Sequence, residues 1–239
     1  MDRIREIIDC VRSRYPEDDF FSNFEESCRN LPTKQIYYEK YNNALMVLDN
    51  ESWQILKEKA LRHFLNHRLG QRKQGFFNIL NEAFAYQYLV NKGYKNIKFV
   101  EENGVQRRPD ITFLFNNGIK FCEAKTINIS ESEIIRRANN ANNIVVHDTE
   151  IIYGKLDDGF FNKFSYDVNK AREQLIDSGL IFIIIKFDDY TLDFYGNYRS
   201  KLINFIKDRQ CHNLVIQIGI TKEIEYLITG NDFGLESNI

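Results

Sequence analysis

The sequence predicts an α/β protein with an all-helical N-terminal extension. From residue 1 to about residue 72, apolar residues recur at helical spacing without any sustained alternation of period two. Residues 74–126 have the pattern of one long helix followed by three short strands with turn signals between them. After a second long helix, two apolar segments separated by a helical pattern predict parallel strands, because parallel pairing needs a long connection. The expected sheet is therefore mixed and flanked by helices.

The N-terminal extension is expected to contain several helices. Its first apolar stripe has the spacing of one helix face and consists of Ile4, Ile7, Ile8 and Val11. A further helix is expected to begin with Asn50 as its N-cap and to end at Gly70. No Pro-, Gly- or Ser-rich linker follows, so the extension should pack on the rest of the chain. We therefore divide the chain into a helical extension, 1–72, and an α/β domain, 73–239.

The α/β domain is expected to begin with a strongly periodic helix, 74–92. Three strands should follow as a meander, at 96–101, 110–115 and 119–126. The Asn-Asn-Gly sequence at 116–118 predicts a tight turn that makes the second and third strands antiparallel neighbours.

The second half of the domain is expected to alternate helices and strands. Ser130 with Glu133 predicts a capped short helix, and 158–178 has the pattern of a long one. Three strands are expected after it, at 181–187, 214–220 and 223–229, with a helix between the first two. The remaining acidic tail is expected to fray.

Composition and charge exclude several functional classes. The chain has 239 residues, 43% hydrophobic and 28% charged, with only 3 prolines, which disfavours a disordered or collagen-like chain. With 32 basic and 34 acidic residues the formal net charge is −2, so any nucleic-acid site must be a local patch. The four cysteines include no C-x-x-C pair, which argues against a zinc ribbon. The sequence shows no signal peptide and no apolar stretch of about 20 residues, so we expect a cytoplasmic protein without a membrane partner.

The most informative segment joins Pro109-Asp110 to Glu123-x-Lys125, with twelve residues between the two acidic positions. Because side chains alternate along a strand, Glu123 and Lys125 should share one face. The turn at 116–118 should bring Asp110 near Glu123 across the strand pair. Two carboxylates and one ammonium are thus expected to converge.

Carboxylates held close together repel each other unless a cation neutralises them. Oxygen-only ligation of this kind suits Mg²⁺. Phosphodiester hydrolysis needs such a metal to activate water and stabilise charge, together with a second cation that positions the nucleophile. These residue types therefore indicate metal-dependent hydrolysis of a phosphodiester, with Lys125 as the second cation.

The same segment, Pro109-Asp110 followed by Glu123-x-Lys125, resembles the signature of the PD-(D/E)xK nuclease superfamily. The order of predicted elements over residues 74–220 is also similar to the core of that family. The resemblance implies the restriction-endonuclease-like fold, in which a helix, a three-stranded meander, a helix and a strand follow one another. It further implies a nuclease that uses Mg²⁺, with Mn²⁺ as a substitute, and an endonuclease in preference to an exonuclease.

The resemblance also implies roles for individual residues. Asp110 and Glu123 would ligate the metal, and Lys125 would orient or activate water. Glu82, in the first helix of the core, would assist through a second metal or a bridging water. The backbone carbonyl of Ala124 would be a further ligand.

Other polar residues are expected around this site. Some members of the superfamily place a Lys or Gln of the second long helix near the site, which here would be Lys170 or Gln174. Basic residues expected to contact nucleic acid are Arg107, Arg108, Arg136, Arg137, Arg62, Arg68, Arg72 and Lys73. For both groups the alternative interpretation is a solvated charged face.

Alternatives stay open for the acidic residues and for the whole chain. Glu82 could pair with a buried Arg or Lys, Asp110 could open a turn, and Glu123 with Lys125 could belong to an ordinary strand face. The protein could instead be a catalytically inactive nucleic-acid-binding or assembly module on the same fold, or a nuclease acting on RNA. The expected partner is nucleic acid, in first place double-stranded DNA, in a restriction, repair or mobile-element setting; a homodimer is left open.

Overall fold

A computed structural model describes residues 2–68, 70–101, 108–143, 149–175, 179–209, 211–220, 224–230 and 232–239. The chain divides into two compact units, Met1–Cys122 and Glu123–Ile239. The boundary that the sequence suggests between residues 72 and 73 stays a prediction.

The first unit begins with five helices. They are α1 (Arg3–Arg14), α2 (Phe24–Asn30), α3 (Pro32–Met46), α4 (Asn50–Arg62) and α5 (Gln74–Asn91). Asp2 caps α1 and Asp49 caps α4, each by accepting a backbone N–H of the first turn. Pro32 opens α3, where an amide hydrogen has no helical partner in any case. The described part of the extension is thus all-helical, as predicted.

An aromatic core joins α5 to the helices before it. Phe21 stacks on Phe64 and meets Phe76 edge-on, with ring centroids 6.0 Å apart in both pairs. The buried hydroxyl of Tyr41 donates to Asn81 Oδ1 at 2.5 Å. Since these contacts join residues far apart in sequence, α5 and the N-terminal helices form one packed body.

Three strands follow as the predicted meander. They are β1 (Lys95–Phe99), β2 (Ile111–Phe115) and β3 (Gly118–Asn128). β2 pairs antiparallel with β1 and with β3, and Ile111 lies opposite Cys122 in the second ladder. Asn116 and Asn117 have φ values of 48° and 60°, the left-handed backbone that a two-residue hairpin turn requires. β3 begins in the first unit and continues into the second.

The second unit alternates helices and strands. Its further elements are α6 (Glu131–Asn143), α7 (Thr149–Tyr153), α8 (Asp158–Gln174), β4 (Gly179–Lys186), α9 (Asp189–Asp193), α10 (Tyr195–Asp208), β5 (Leu214–Ile218) and β6 (Glu225–Thr229). β4 and β5 are parallel, as predicted, and β6 is antiparallel to β5. The strands make one six-stranded mixed sheet in the order β1-β2-β3-β4-β5-β6. The α/β class is therefore confirmed.

One face of β4 and β5 forms the main core of the second unit. Ile183 and Ile216 are paired across the two strands and lie in the same apolar cluster as Phe164 of α8 and Leu202 of α10. The opposite face of β4 is buried too, because Leu180, Phe182 and Ile184 are as inaccessible as their neighbours. This two-sided burial explains why β4 is apolar throughout instead of alternating.

Some predicted element ends are wrong. α4 ends at Arg62 and not at Gly70, and its N-cap is Asp49 and not Asn50. α6, in contrast, ends at Asn143, within the Asn-rich segment 139–143 where the sequence predicts the exit of this helix. Ser130 Oγ accepts from the Glu133 amide at 3.1 Å, which confirms the predicted start of α6.

The C-terminal tail is ordered along β6, so the expected fraying is wrong. Asn238 Oδ1 accepts from the Ile228 amide at 2.7 Å, and Asn238 Nδ2 donates to the Tyr226 carbonyl at 2.7 Å. Phe233 and Leu235 are buried. The tail therefore pairs with the edge of the sheet that β6 would otherwise leave open.

None of the helices in the described ranges combines the length and the apolar character that crossing a bilayer requires.

Candidate functional site

Two of the predicted acidic residues, Glu82 and Asp110, meet at the ammonium of Lys59 in the first unit. Lys59 Nζ lies 2.9 Å from Glu82 Oε1 and 3.0 Å from Asp110 Oδ1. The side chains are largely inaccessible, with 11% of Lys59, 8% of Glu82 and 12% of Asp110 exposed. We call these three residues the Lys59 group.

The local sequence explains why a lysine and two carboxylates become buried together. Lys59 follows Leu56 by one helical turn, on the face of α4 that packs inward. Glu82 lies in the middle of α5, where Leu80 and Ala83 are also buried. Asp110 directly precedes β2, and its carbonyl accepts from the Val100 amide at 2.9 Å, which fixes the start of the strand.

The Lys59 group contains one positively charged and two negatively charged side chains. One ammonium faces two carboxylates, and burial makes an uncompensated charge costly, so the two acids are stable side by side only with a cation between them. The structural interpretation of Glu82, pairing with a buried lysine, is therefore confirmed. The ion pair is also compatible with a metal-ligand role, because oxygen ligands of a metal are equally close to positive charge.

The other predicted residues meet in the second unit, at the ammonium of Lys125. Lys125 Nζ donates to Glu123 Oε1 at 2.5 Å and to Gln174 Oε1 at 2.9 Å. Glu123 is 1% exposed, whereas Lys125 is only half-buried. Glu123 and Lys125 lie on the same side of β3 because they are two residues apart, and Gln174 is the last residue of α8. We call these three residues the Lys125 group.

The other residue predicted near the site from α8, Lys170, has different contacts. Its ammonium donates to Glu173 Oε2 at 2.8 Å and lies 5.8 Å from the centroid of the Tyr166 ring. Of the two residues expected from this helix, Gln174 is the one that contacts Lys125. The role of the Ala124 carbonyl stays a prediction.

The arginines predicted beside the site are partly used in structural ion pairs. Arg136 and Arg137 both donate to Glu133 Oε1 at 2.7 Å, and Arg137 also pairs with Asp188. The ion pair with Glu133 raises the pKa of the Arg136 guanidinium. These contacts join α6 to the start of α9. Arg108 is exposed, and Arg107 lies outside the described residues.

The basic residues predicted in the extension also differ from one another. Arg62 and Arg68 are exposed, and Arg72 is exposed while pairing with Asp19 at 2.8 Å. Lys73 is only 4% exposed, pairs with Asp18, and lies 3.9 Å from the centroid of the Phe64 ring. Its position favours a structural contact over a phosphate contact.

Lys59 is the functional candidate that the sequence does not single out. It belongs to a run of basic residues between 57 and 73, which favours the interpretation as one of several surface charges. The available signal is its position: Ser52, Leu56 and Lys59 follow at helical spacing on one buried face of α4. A lysine in an apolar stripe needs a partner, and the partners lie 23 and 51 residues away.

The donor set fits a divalent cation of the Mg²⁺ type. Glu82 and Asp110 are hard oxygen donors that already lie within 3.1 Å of one positive charge. Among the described ranges no group of three or more His, Cys, Asp or Glu side chains is arranged to hold a metal. Carbonyl oxygens and water would therefore have to complete a coordination shell, as is usual for Mg²⁺.

Comparison with protein-family models, with curated proteins and with solved structures gives no match for this chain. The assignment of a function therefore depends on the two lysine-centred groups and on the sequence motif that supplies Asp110, Glu123 and Lys125 to them.

Proposed function

We propose that the chain is a Mg²⁺-dependent nuclease with a restriction-endonuclease-like core, which hydrolyses phosphodiester bonds in DNA. The observation that supports this best is the Lys125 ammonium, bonded to Glu123 at 2.5 Å and to Gln174 at 2.9 Å. A lysine on an ordinary solvated strand face would not be fixed by a buried carboxylate and by an amide from another element. A cation that orients a nucleophile must itself be held in a defined position, and these two hydrogen bonds hold the Lys125 ammonium in that way.

The proposed metal ligands come from both strands of the hairpin and from α5. They are Asp110, Glu123, the backbone carbonyl of Ala124 and, through a second metal or a bridging water, Glu82. When bound, Mg²⁺ would lower the pKa of a coordinated water and stabilise the charge of the phosphorane.

Lys125 holds the attacking water in this proposal. An ammonium has three N–H donors, and Glu123 and Gln174 accept two of them. The third is left to donate to a water or to a phosphate oxygen. Because the two acceptors fix the direction of the third, Lys125 acts mainly on the transition state and little on substrate affinity.

The substrate is proposed to be double-stranded DNA, cut at internal bonds, in a restriction, repair or mobile-element setting. The formal net charge of −2 requires local contacts with phosphates. Arg62, Arg68 and Arg108 are exposed and suit this role. RNA is the alternative substrate, since phosphate contacts alone do not distinguish the two nucleic acids.

A second function has an observation in its favour. Lys59 supplies positive charge to Glu82 and Asp110 without any metal. This arrangement would suit a catalytically inactive nucleic-acid-binding or assembly module, in which the acidic residues are kept as a buried ion pair. Cleavage assays separate this module from the nuclease.

The test is cleavage of supercoiled plasmid, linear duplex, single-stranded DNA and RNA with Mg²⁺, Mn²⁺ or EDTA. We expect the unmodified protein to cut duplex DNA with Mg²⁺, and Asp110→Asn and Glu123→Gln to be inactive but folded. Lys125→Ala should lower turnover by at least ~10²-fold with affinity little changed. Lys120→Ala is the matched control, since it removes the same charge from the other face of β3.

Each outcome decides between the proposals. Metal-dependent cleavage that Asp110→Asn leaves at the normal rate would remove Asp110 from the site. Cleavage of RNA alone would change the substrate. Binding of nucleic acid without cleavage, unchanged by any of the three substitutions, would favour the inactive module.

A further inference from the structure

Lys59 has a feature that the nuclease mechanism does not use: it already supplies the positive charge that a metal would supply. Its ammonium contacts both oxygens of Glu82, at 2.9 and 3.1 Å, and Asp110 Oδ1 at 3.0 Å. The lysine side chain comes from α4, whereas Glu82 lies on α5 and Asp110 directly precedes β2. One side chain thus joins three elements of the first unit.

The electrostatic consequence follows from charge and burial. Two carboxylates in a weakly solvated region repel each other, and the repulsion is relieved by any cation between them. A lysine ammonium and a divalent cation would bind the same oxygens. The lysine is held by the fold, so it is present at a fixed effective concentration, whereas the metal must come from solution.

We propose that Lys59 is a built-in counter-ion of the Glu82–Asp110 pair, and that a divalent cation binds these carboxylates in competition with it. This inference rests on the proposed function for the identity of the metal and concerns regulation of the same site. Without metal, Lys59 stabilises the fold by attracting both carboxylates and offsetting the repulsion between them. When the metal binds, the ammonium loses its contact with at least one carboxylate, which lowers the apparent metal affinity and restricts activity to sufficient metal concentrations.

Lys59→Met tests the competition, because methionine keeps much of the apolar stem of lysine and removes the charge. The matched control is Lys57→Met on the same helix: Lys57 is 13% exposed and pairs with a single carboxylate, Glu6, at 2.8 Å. Lys57→Met loses one partly buried ion pair, whereas Lys59→Met loses the ion pairs with both Glu82 and Asp110. Thermal unfolding and calorimetric titration with Mn²⁺ and Mg²⁺ would be measured on the full chain.

We expect Lys59→Met to unfold at a lower temperature than the unmodified protein in EDTA, and to recover more of that loss in Mg²⁺ than Lys57→Met does. Its dissociation constant for Mn²⁺ should be at least ~10-fold lower than that of the unmodified protein. Adding Glu82→Gln to Lys59→Met should remove this gain, because one of the two charges that attract the metal is then absent.

A second measurement uses the unmodified protein and therefore does not depend on the folding of Lys59→Met. In the unmodified protein, the ¹⁵Nζ resonance of Lys59, assigned through Lys59→Arg, should move when Mg²⁺ is added, while that of Lys57 stays in place. An unmoved Lys59 resonance at saturating Mg²⁺, or equal metal affinity in the unmodified and Lys59→Met proteins, would overturn the inference. Absence of cleavage would overturn the proposed nuclease but not this result, since the readouts are metal binding and unfolding.

Discussion

At the scale of single residues, Gln174 is the feature that most separates the proposed site from an ordinary helix end. Its Oε1 accepts from Lys125 Nζ at 2.9 Å, while its neighbour Glu173 pairs with Lys170 at 2.8 Å. Hydrogen bonds to a charged group are the stronger kind. Gln174 is therefore a positioning residue for the Lys125 ammonium.

Gln174→Ala should lower turnover about 10-fold while leaving the affinity for duplex DNA unchanged, because the ammonium loses one of its two acceptors. Glu173→Ala is the control on the same turn of α8 and should change turnover less than twofold, since its ion pair is exposed. Single-turnover kinetics with Mg²⁺ measure both variants. Equal effects of the two substitutions would mean that Gln174 acts only through the stability of the helix end.

At the scale of elements, ion pairs join helices to strands within each unit. Arg199 of α10 donates from Nε to both carboxylate oxygens of Glu225 on β6, at 2.9 and 3.0 Å. This hydrogen bonding lowers the pKa of Glu225 below its ordinary value, despite an opposing effect of burial. Both side chains are partly exposed, so solvent weakens the pair, whose contribution is at most about 1 kcal/mol.

The lowered pKa of Glu225 predicts the pH range in which the pair stabilises the fold. A carboxyl whose folded pKa is depressed contributes stability above its unfolded pKa, about 4.3, and loses it as the pH falls through the folded value. Glu225→Gln should therefore lower the melting temperature at pH 7, and its difference from the unmodified protein should shrink as the pH falls toward 3. Thermal unfolding between pH 3 and 7 checks this, with exposed Glu236→Gln as the control; a constant difference across that range would contradict it.

Elements were predicted well where their signal is local. The helical period over 74–92, the Asn-Asn-Gly turn and the two apolar strands all depend on neighbouring residues, and the structure has them. The start and end of α4 were missed because capping at Asp49 competes with the equally polar Asn50, and polar residues continue past Arg62. The ordered tail was missed because Asn238 bonds to Tyr226, on a strand that the sequence cannot align with it.

At the scale of the whole molecule, the helices before residue 73 contribute to the core of the first unit. Phe76, Leu80 and Phe84 of α5 are buried, and Tyr41 of α3 and Phe64 in the turn after α4 contact this part of α5. The extension thus contributes to the hydrophobic core, in addition to any contact that it makes with substrate.

A fragment comprising residues 73–239 should be insoluble or bind hydrophobic dyes, because deletion of α1–α4 exposes the aromatic face of α5. Expression, gel filtration and near-ultraviolet circular dichroism of this fragment check the expectation. A soluble fragment with a cooperative thermal transition would support an independent domain that begins at residue 73. The control is the full chain with the exposed Arg62, Arg68 and Arg72 replaced by Gln, which we expect to keep its fold because only surface charge is lost.

Replacing Arg62, Arg68 and Arg72 together with Gln should weaken DNA binding and reduce the salt dependence of the affinity by up to about three charges. Lys73 is left unchanged because its buried pair with Asp18 serves the fold. A charge-matched control replaces three basic residues elsewhere in the same unit with Gln: Arg29, Lys34 and Lys40. Binding isotherms at several salt concentrations decide, and equal slopes for the two triple variants would show that the cluster is a solvated face.

Local sequence patterns predict the α/β class, the helical extension, the meander and the strand that contains both Glu123 and Lys125, because these depend on periodicities and turns within short segments. The resemblance to the nuclease superfamily also implied that Lys170 or Gln174 of α8 lies near the proposed site. Only the tertiary structure decided that Gln174 contacts Lys125 while Lys170 does not bond to it, and that Glu82 and Asp110 share the ammonium of Lys59. The physical reason is distance along the chain: these contacts join residues 23 to 51 positions apart, and only the packing of whole elements brings such side chains within hydrogen-bonding reach.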